Sequence, residues 1–334
     1  MQLDLVPIWT LILGFGVFMY VLLDGFDLGV GILFPLVRDE TQRTLAMNSV
    51  APVWDGNETW LVMGGVGLLA AFPHAFAIVI PAVYFPLLLM LLGLIFRGVA
   101  FEFRLKTVRA RHWWDRSFFV GSTVATYFQG VVLGMFVQGF RVQGHAFAGT
   151  SFDWVQPFPL LTGAGLLFGY ALLGSTWLVM KTEDELQRWA RGKALVALVG
   201  VLAFIAMVSI WTPLLRGEIA QRWFSWPNFA YLAPVPIVTA GIALVTWRSL
   251  RRDGEYLPFI GAMGLFAMGY LGLAISLFPY VVPYALTLWQ AASSPATQAF
   301  LLIGTLFLLP IIFVYTGWSY YVFRGKVSAE LGYH

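Results

Sequence analysis

Residues 51–65 read APVWDGNETWLVMGG, and this stretch decides the class of fold. From Trp60 onward it is an apolar run that suits a membrane interior, yet Asp55, Asn57 and Glu58 stand at its beginning. Charged side chains at membrane depth cost at least about 2.5 kcal/mol each on insertion scales, so they need a partner, a wet cavity or a task. The stretch therefore predicts a membrane-spanning helix whose first turn requires an explanation.

The composition of the whole chain agrees with a membrane protein. Its 334 residues are 59% hydrophobic, 17% aromatic and 11% charged, with a mean hydropathy of +0.78, which lies far outside the range of soluble domains. Cysteine does not occur, so disulfides, thiolate-held zinc and iron–sulfur clusters are excluded. The first ten residues, MQLDLVPIWT, carry no basic residue, so we expect the first spanning helix there and not a cleavable signal peptide.

Apolar segments long enough to span a bilayer, which takes roughly 20 residues, recur along the entire sequence. We predict an all-α, polytopic integral membrane protein that forms a single membrane domain over residues 1–334. The nine predicted transmembrane helices lie near 7–36, 57–73, 76–103, 117–139, 158–180, 194–214, 229–248, 257–278 and 298–323.

The basic residues predict the orientation of these spans. Sixteen of the 20 Lys and Arg residues fall in loops on one side, three fall in loops on the other side, and Arg97 lies within a span. Cytoplasmic loops are enriched in Lys and Arg. The pattern predicts a periplasmic (outside) N-terminus and a cytoplasmic C-terminus, so the pI near 9.1 reflects topology and requires no acidic or nucleic-acid partner.

Two acidic pairs share one spacing and fall toward the predicted inner face. Asp24 and Asp27 in YVLLDGFDLGVG stand at i and i+3, as do Asp55 and Glu58, and this spacing puts both carboxylates of a pair on one helix face. The first pair is either a proton or cation site or a set of hydrogen bonds to a helix that approaches over the neighbouring glycines. The second pair is either functional or a set of first-turn acids that meet the helix dipole.

The stretch IFRGVAFEFRLK at 95–106 adds a deeply placed arginine. Arg97 lies too far inside its span to reach the interface, so we expect a buried carboxylate, Asp24 or Asp27, to pair with it. At the inner end of the same span, Glu102 precedes Lys106 by four residues, which favours a helical ion pair.

Arg104, in the same stretch, is expected to snorkel to the membrane interface. The remaining ionisable groups gather toward one face and predict a polar inlet from the cytoplasm. Carboxylates and an amine along such an inlet could relay protons, because each can hold or release one. The groups concerned are Asp24, Asp27, Asp55, Glu58, Glu102 and Lys106.

The sequence offers few ligands for a redox cofactor. Heme and copper are commonly held by histidine, and the four histidines fall at predicted helix ends, in loops or at the terminus, namely His74, His112, His145 and His334. We predict that this chain ligates no heme and no metal. It also has no P-loop, nucleophile elbow, HExxH or dinucleotide fingerprint, so a self-sufficient redox enzyme is not expected.

Five stretches, taken in order, resemble one family. The sequence is similar to subunit II of the cytochrome bd-type quinol oxidases, and its compact length resembles the cyanide-insensitive branch. The stretches are DGFDLGVG (24–31), NSVAPVWDGNETWLV (48–62), FRGVAFEFRLK (96–106), FPYVVPYALTLWQAASS (278–294) and LLPIIFVYTGWSYYVF (308–323).

The resemblance implies a heme-free subunit of a respiratory terminal oxidase in the bacterial cytoplasmic (inner) membrane. Its partner would be subunit I, which carries two b-type hemes and one heme d. Quinol would be oxidised at the outer face and dioxygen reduced to water with protons from the cytoplasm. Small single-span accessory subunits, membrane lipids, and ubiquinone or another quinone are further partners that the resemblance allows.

The resemblance also assigns part of a proton path to this subunit. Its motif residues correspond to Asp55, Glu102 and Lys106, although other members commonly have Asp at the position of Glu102. A C-terminal tyrosine used by some members is not carried over, because this chain ends Gly332, Tyr333, His334. No role follows for the remaining ionisable groups, which either line the inlet or hold helices together: Asp24, Asp27, Glu58 and Arg97.

A proton-coupled secondary transporter is the alternative function, since it too would need membrane carboxylates beside a polar pathway. The odd number of predicted helices and the lack of paired halves argue against it. A reduced-minus-oxidised spectrum of the purified chain would separate the two, because an oxidase subunit should bring a heme-bearing partner with it.

Overall fold

The computed structural model describes residues 4–104, 106–107, 109–144 and 146–327, and these are mostly helical. The helices are α1 (Val6–Leu33), α2 (Glu40–Asn48), α3 (Trp54–Ala71), α4 (Pro73–Arg104), α5 (Arg111–Gln138), α6 (Pro157–Lys181), α7 (Asp184–Leu215), α8 (Gly217–Phe224), α9 (Asn228–Leu232), α10 (Pro234–Arg251), α11 (Leu257–Leu277), α12 (Leu288–Ala291) and α13 (Pro295–Val322). A 3-10 turn, Phe34–Leu36, extends α1.

Two short antiparallel hairpins, which the sequence did not predict, lie in loops between the long helices. Strand β1 (Val142–Gln143) pairs with β2 (Ala146–Phe147), and β3 (Tyr280–Val282) pairs with β4 (Leu286–Thr287). They connect α5 to α6 and α11 to α12, so they cover ends of the helical bundle and leave its interior helical.

Over the described residues, eight helical segments are long and apolar enough to cross a membrane. They coincide with the first and the third to ninth predicted spans, which confirms a multi-pass membrane fold. The second predicted span, 57–73, is helical as α3, but its acidic first turn lowers its hydropathy. Two other limits differ from prediction: α7 begins at Asp184 and not near 194, and the seventh span is divided at Ala233 between α9 and α10.

Helix α1 forms the centre of the bundle. It packs against α3, α5 and α6, while α4, α5, α6 and α7 follow one another side by side. Helices α10 and α11 form a pair, in which α11 packs on α6 and α10 on α7. The closest approach joins α1 to α6, where a Cβ on Gly29 would lie 2.7 Å from the Gly174 amide nitrogen. Close helix packing over the glycines beside Asp24 and Asp27 is thus confirmed.

Helix α13 lies at the edge of the bundle and packs mainly on α3. Gln298, near its beginning, is its only buried residue. The ends of α13 are nevertheless bound to the bundle: Trp9 Nε1 donates to the Gln298 carbonyl at 3.2 Å, and Lys181 Nζ donates to the Phe323 carbonyl at 2.6 Å. The helix is therefore fixed at its ends while its long apolar middle is exposed.

Candidate functional site

The ionisable residues of the helices meet at one end of the bundle. Because α2 is short, the end of α1 and the beginning of α3 lie side by side, and α4 and α13 also end there. We call this region the acidic end. It contains Asp24, Asp27, Asp55, Asn57, Glu58, Arg97, Glu102 and Tyr320.

Arg97 is the centre of the acidic end. Its side chain is fully buried, with Nη1 donating to Asp24 Oδ1 and Nη2 donating to Glu58 Oε2 at 2.6 Å. Its guanidinium lies 5.6 Å from the ring centroid of Trp54, a distance at which a cation and an aromatic ring attract. The predicted pairing of Arg97 with a buried carboxylate is confirmed, and the carboxylate is Asp24.

Asp27 pairs differently from Asp24, although both are fully buried on the same helix. Asn57 Nδ2 donates to Asp27 Oδ2 at 2.7 Å, and Tyr320 Oη donates to Asn57 Oδ1 at 2.8 Å. This chain of hydrogen bonds joins α1, α3 and α13. A cleft of about 10 Å³, close to the space of one water molecule, lies beside Asn57 and Tyr320.

The sequence did not single out Asn57 or Tyr320 as functional. Asn57 stands within the quoted WDGN stretch, so its place between two acids was the available signal. Tyr320 belongs to WSYY at 318–321, which is typical of an interfacial aromatic belt. Its hydrogen bond to Asn57 spans 263 positions in sequence, so no local pattern could reveal it.

The remaining acids of the acidic end are open to solvent. Asp55 is exposed in the first turn of α3. Glu102 and Lys106, with side chains 63% and 72% exposed, form the predicted ion pair at 3.2 Å. Glu58 lies between the two environments, because it bonds to buried Arg97 while its side chain is 28% exposed.

The first-turn explanation for Asp55 and Glu58 can be compared with the contacts. The N-cap of α3 is Val53 and shows no side-chain capping hydrogen bond. Glu58 is engaged by Arg97, so it does not serve as a cap. Among the described residues, the Asp55 carboxylate forms no hydrogen bond or ion pair, so this group stands open to water.

The expectation that Arg104 snorkels to the interface is wrong. Its side chain is fully buried and donates to Asp115 Oδ1 at 2.5 Å, Glu40 Oε1 at 2.8 Å and Thr44 Oγ1 at 3.3 Å. Helix α2 and the first turns of α5 fold over it and supply these oxygens. A buried arginine is stable where carboxylates compensate it, and here they come from two other helices that sequence patterns alone do not bring together.

A second polar chain leads from the acidic end toward the middle of the bundle. Tyr20 stands one helical turn before Asp24 and accepts a hydrogen bond from Gln129 Nε2 at 2.7 Å. Tyr170 Oη in turn donates to Gln129 Oε1 at 2.7 Å. Helices α1, α5 and α6 are therefore linked by side-chain hydrogen bonds one helical turn from the ion pair of Arg97, toward the middle of the bundle.

Fold and site together define a class: a multi-pass membrane protein whose ionisable groups converge at one end of a helical bundle. The sequence model of one protein family, described as Cytochrome bd terminal oxidase subunit II, matches residues 5–323. The chain therefore belongs to this family.

Similar proteins cover almost the whole chain. Cytochrome bd-I ubiquinol oxidase subunit 2 of Escherichia coli strain K12 is 31% identical over 360 residues, which cover 97% of this chain and 95% of that protein. Cytochrome bd ubiquinol oxidase subunit 2 of Bacillus subtilis strain 168 is 32% identical over 328 residues, which cover 92% of each.

A solved structure shows the same fold. A chain of the bd oxidase from Geobacillus thermodenitrificans superposes with a TM-score of 0.69 at 18% identity, covering 94% of this chain and 99% of that chain. Family membership makes this protein a subunit of a terminal oxidase, which implies a partner subunit and hemes in the complex, and it favours an oxidase over a transporter.

Histidine, a common heme ligand, does not occur among the buried side chains of the described residues. The buried polar side chains are carboxylates, arginines, a lysine, amides and hydroxyls, and the buried sulfur atoms belong to methionines such as Met90 and Met135. His74 and His112 are exposed at the beginnings of α4 and α5, while His145 and His334 lie outside the described residues. Within the described ranges no group of three or more His, Cys, Asp or Glu side chains could hold a metal ion, so we derive no step through a metal.

Proposed function

We propose that this chain forms the cytoplasmic proton inlet of a quinol oxidase and stabilises its heme-bearing subunit I. In this proposal subunit I holds two b-type hemes and one heme d, quinol is oxidised at the outer face, and dioxygen is reduced to water. The relatives are named ubiquinol oxidase subunits, which supports a quinol as the electron donor. The present chain supplies protons and ligates none of the hemes.

One observation carries the proposal: the carboxylates of the acidic end run from exposed to buried. Asp55 and Glu102 are open to solvent, the Glu58 side chain is 28% exposed, and the Asp24 side chain is 1% exposed. Such a series gives a proton successive stopping points between water and the interior, because each carboxylate can accept one and pass it on.

The neighbouring groups hold the carboxylates in place. A guanidinium stays protonated in proteins, so Arg97 orients Glu58 and Asp24 without itself carrying protons. Asp24 Oδ2 and Asp27 Oδ1 are buried and lack a hydrogen-bond partner among the described residues. Each buried carboxylate therefore keeps one oxygen on which a proton can be received.

The proposed direction of entry follows from the basic loops. With an outside N-terminus and α3 counted as the second of nine spanning helices, the acidic end faces the cytoplasm. The short loops and helix beginnings around it are rich in arginine, including Arg38, Arg43, Arg109 and Arg116. An inlet on this side would draw protons from the cytoplasm of a bacterial cell whose inner membrane holds the complex.

The proposed seat of subunit I is the apolar face formed by α3 and α13. Val62, Val66 and Leu69 form one exposed stripe on α3, with relative exposures of 61%, 60% and 49%. The middle of α13 is equally exposed. Asn57 and Tyr320 lie directly between these two helices, so a partner docked there would adjoin the acidic end.

The test is the substitution Asp55→Asn in the complete oxidase complex. We expect quinol-driven oxygen consumption to fall at least about tenfold, since a proton carrier is lost without a change in size. Assembly and heme content should stay near normal, because Asp55 is exposed. The matched control is Asp253→Asn, at an acid that is 89% exposed at the end of α10, and it should leave turnover unchanged. Normal oxygen consumption by a fully assembled Asp55→Asn complex would refute the inlet.

A further inference from the structure

We propose that Arg104 is a positioning residue for the proton inlet: it fixes α2 against α4 and α5, and thereby fixes the first turn of α3. The inference rests on the proposed function, because the inlet residues Asp55 and Glu58 stand in that turn. Arg104 itself lies outside the series of carboxylates and touches none of them.

Arg104 and Arg97 use one face of α4. They are seven residues apart, about two helical turns, so their side chains leave the helix in nearly the same direction. Arg97 reaches Asp24 on α1 and Glu58 on α3, whereas Arg104 reaches Glu40 and Thr44 on α2 and Asp115 on α5. Two arginines on a single helix thus connect four other helices.

Arg104 is the centre of an alternating chain of charges. Its two carboxylate partners are each shared with a second arginine, Glu40 with Arg111 at 3.1 Å and Asp115 with Arg43 at 3.5 Å. The outer arginines are 35% and 28% exposed, while Arg104 is fully buried and also lies 5.2 Å from the Phe34 ring. Buried ion pairs escape the screening that weakens exposed ones, so Arg104 carries most of the connection.

Helix α2 is buried in the core only at its end. It has nine residues, of which only Ala46, Met47 and Asn48 at its end are buried. Helices shorter than about 12 residues are marginal without tertiary contacts. The beginning of α2, at Glu40 and Thr44, is therefore held in place chiefly by its polar bonds to Arg104.

A hydrogen-bonded turn connects α2 to α3, so the position of α2 determines the position of the beginning of α3. Ala51 N donates to the Met47 carbonyl at 3.0 Å, and Trp54 N donates to the Val50 carbonyl at 3.1 Å. Trp177 Nε1 also holds the Ser49 carbonyl at 3.3 Å. No unbonded linker separates the two helices, so a shift of α2 moves Trp54 and the acids that follow it.

The experiment uses the whole complex and spin labels, because this chain has no cysteine of its own. Labels at Thr41→Cys on α2 and His112→Cys on α5 report the distance between these helices, and the doubly labelled complex that keeps Arg104 is the baseline. Both positions are exposed and lie outside the inlet. The comparison is then made in Arg104→Gln, in Arg104→Lys and in the control Arg111→Gln, which removes an exposed partner of Glu40.

In Arg104→Gln we expect the distance distribution to broaden and shift. Turnover should be about tenfold slower, because a small displacement of reacting groups, here the inlet carboxylates, lowers the rate steeply. Turnover should also fall more sharply as pH rises, because proton supply has become limiting, whereas heme content should be retained. Arg104→Lys should restore part of the rate, and Arg111→Gln should match the parent protein. If Arg104→Gln does not assemble, Thr44→Val, which removes one bond of Arg104, should show the same changes at smaller size.

Two results would overturn the inference. The first is an assembled Arg104→Gln complex whose distance distribution and pH profile equal those of the parent. The second is a shifted α2 with unchanged turnover. Failure of the proposed inlet is distinguishable from failure of this inference. If the inlet proposal is wrong, the Asp55→Asn complex keeps full activity, while Arg104→Gln still displaces α2.

Discussion

The acidic end holds two sets of acids with the same chemistry and different surroundings. Asp24 and Asp27 are fully buried, and each has one specific partner, Arg97 for the first and Asn57 for the second. Asp55 and Glu102 are exposed. The difference teaches that burial, more than residue type or spacing, divides the work: the buried set holds helices together, and the exposed set is free to exchange protons with water.

The physical cause of this division is solvation. A buried carboxylate loses its water and is stable only where an arginine or amide replaces that water. An exposed carboxylate keeps its hydration, and its pairing contributes at most about 1 kcal/mol. Substitutions in the buried set should therefore change assembly as well as rate, and substitutions in the exposed set should change rate alone.

The largest effect is expected from Arg97→Leu. The substitution leaves Asp24 buried without its charged partner, and breaking a buried pair in this way costs about 3 to 5 kcal/mol. The amount of assembled complex recovered from membranes should fall sharply. The control is Arg116→Leu, which removes an exposed arginine that stacks on Trp113 at 5.0 Å and should assemble normally. A stable but inactive Arg97→Leu complex would contradict the structural role of this arginine.

A smaller effect is expected from Tyr320→Phe. It removes the donor to Asn57 Oδ1 and leaves that buried oxygen unsatisfied, which costs about 1 to 3 kcal/mol. The midpoint of thermal unfolding of the complex should fall by several degrees, and the matched control Tyr321→Phe should leave it unchanged, because Tyr321 is 56% exposed. Equal midpoints for the two variants would show that the hydrogen bonds joining α1, α3 and α13 contribute no stability.

The smallest effect on stability is expected from Glu102→Gln. Its ion pair with Lys106 is largely exposed, so its loss should change the free energy of unfolding by less than about 0.5 kcal/mol. Turnover should nevertheless fall, because Glu102 is one of the proposed proton acceptors. A drop in thermal stability comparable to that of Tyr320→Phe would place Glu102 in the buried set and remove the distinction between the two sets.

Sequence patterns predicted the helical membrane fold well. Long apolar runs have few alternatives in a bilayer, so most predicted spans agree with the helices. Element limits set by local chemistry were less predictable. The first turns of α7 are rich in charged residues, so the apolar span was predicted to begin near 194. The helix nevertheless begins at Asp184.

The sequence predicted contacts of the candidate site only where a buried charge required a partner of opposite charge. A charge as deep as Arg97 requires a carboxylate, and Asp24 and Asp27 were the available groups in the first span. Arg104 stood near a helix end, where exposure was the ordinary expectation, and only the fold of α2 over α4 shows its burial. Partners such as Tyr320, supplied by the last helix, follow from tertiary packing and leave no local trace.

The attachment of α13 has a consequence for the order in which the protein is made. Asn57 is synthesised early, but the tyrosine that completes its hydrogen bonds lies 263 residues later. Helices α1 to α11 can insert and pack before α13 leaves the ribosome, because almost none of α13 is buried among them. The hydrogen bond between Tyr320 and Asn57 can therefore form only after the last of the described long helices has been synthesised and has packed on α3.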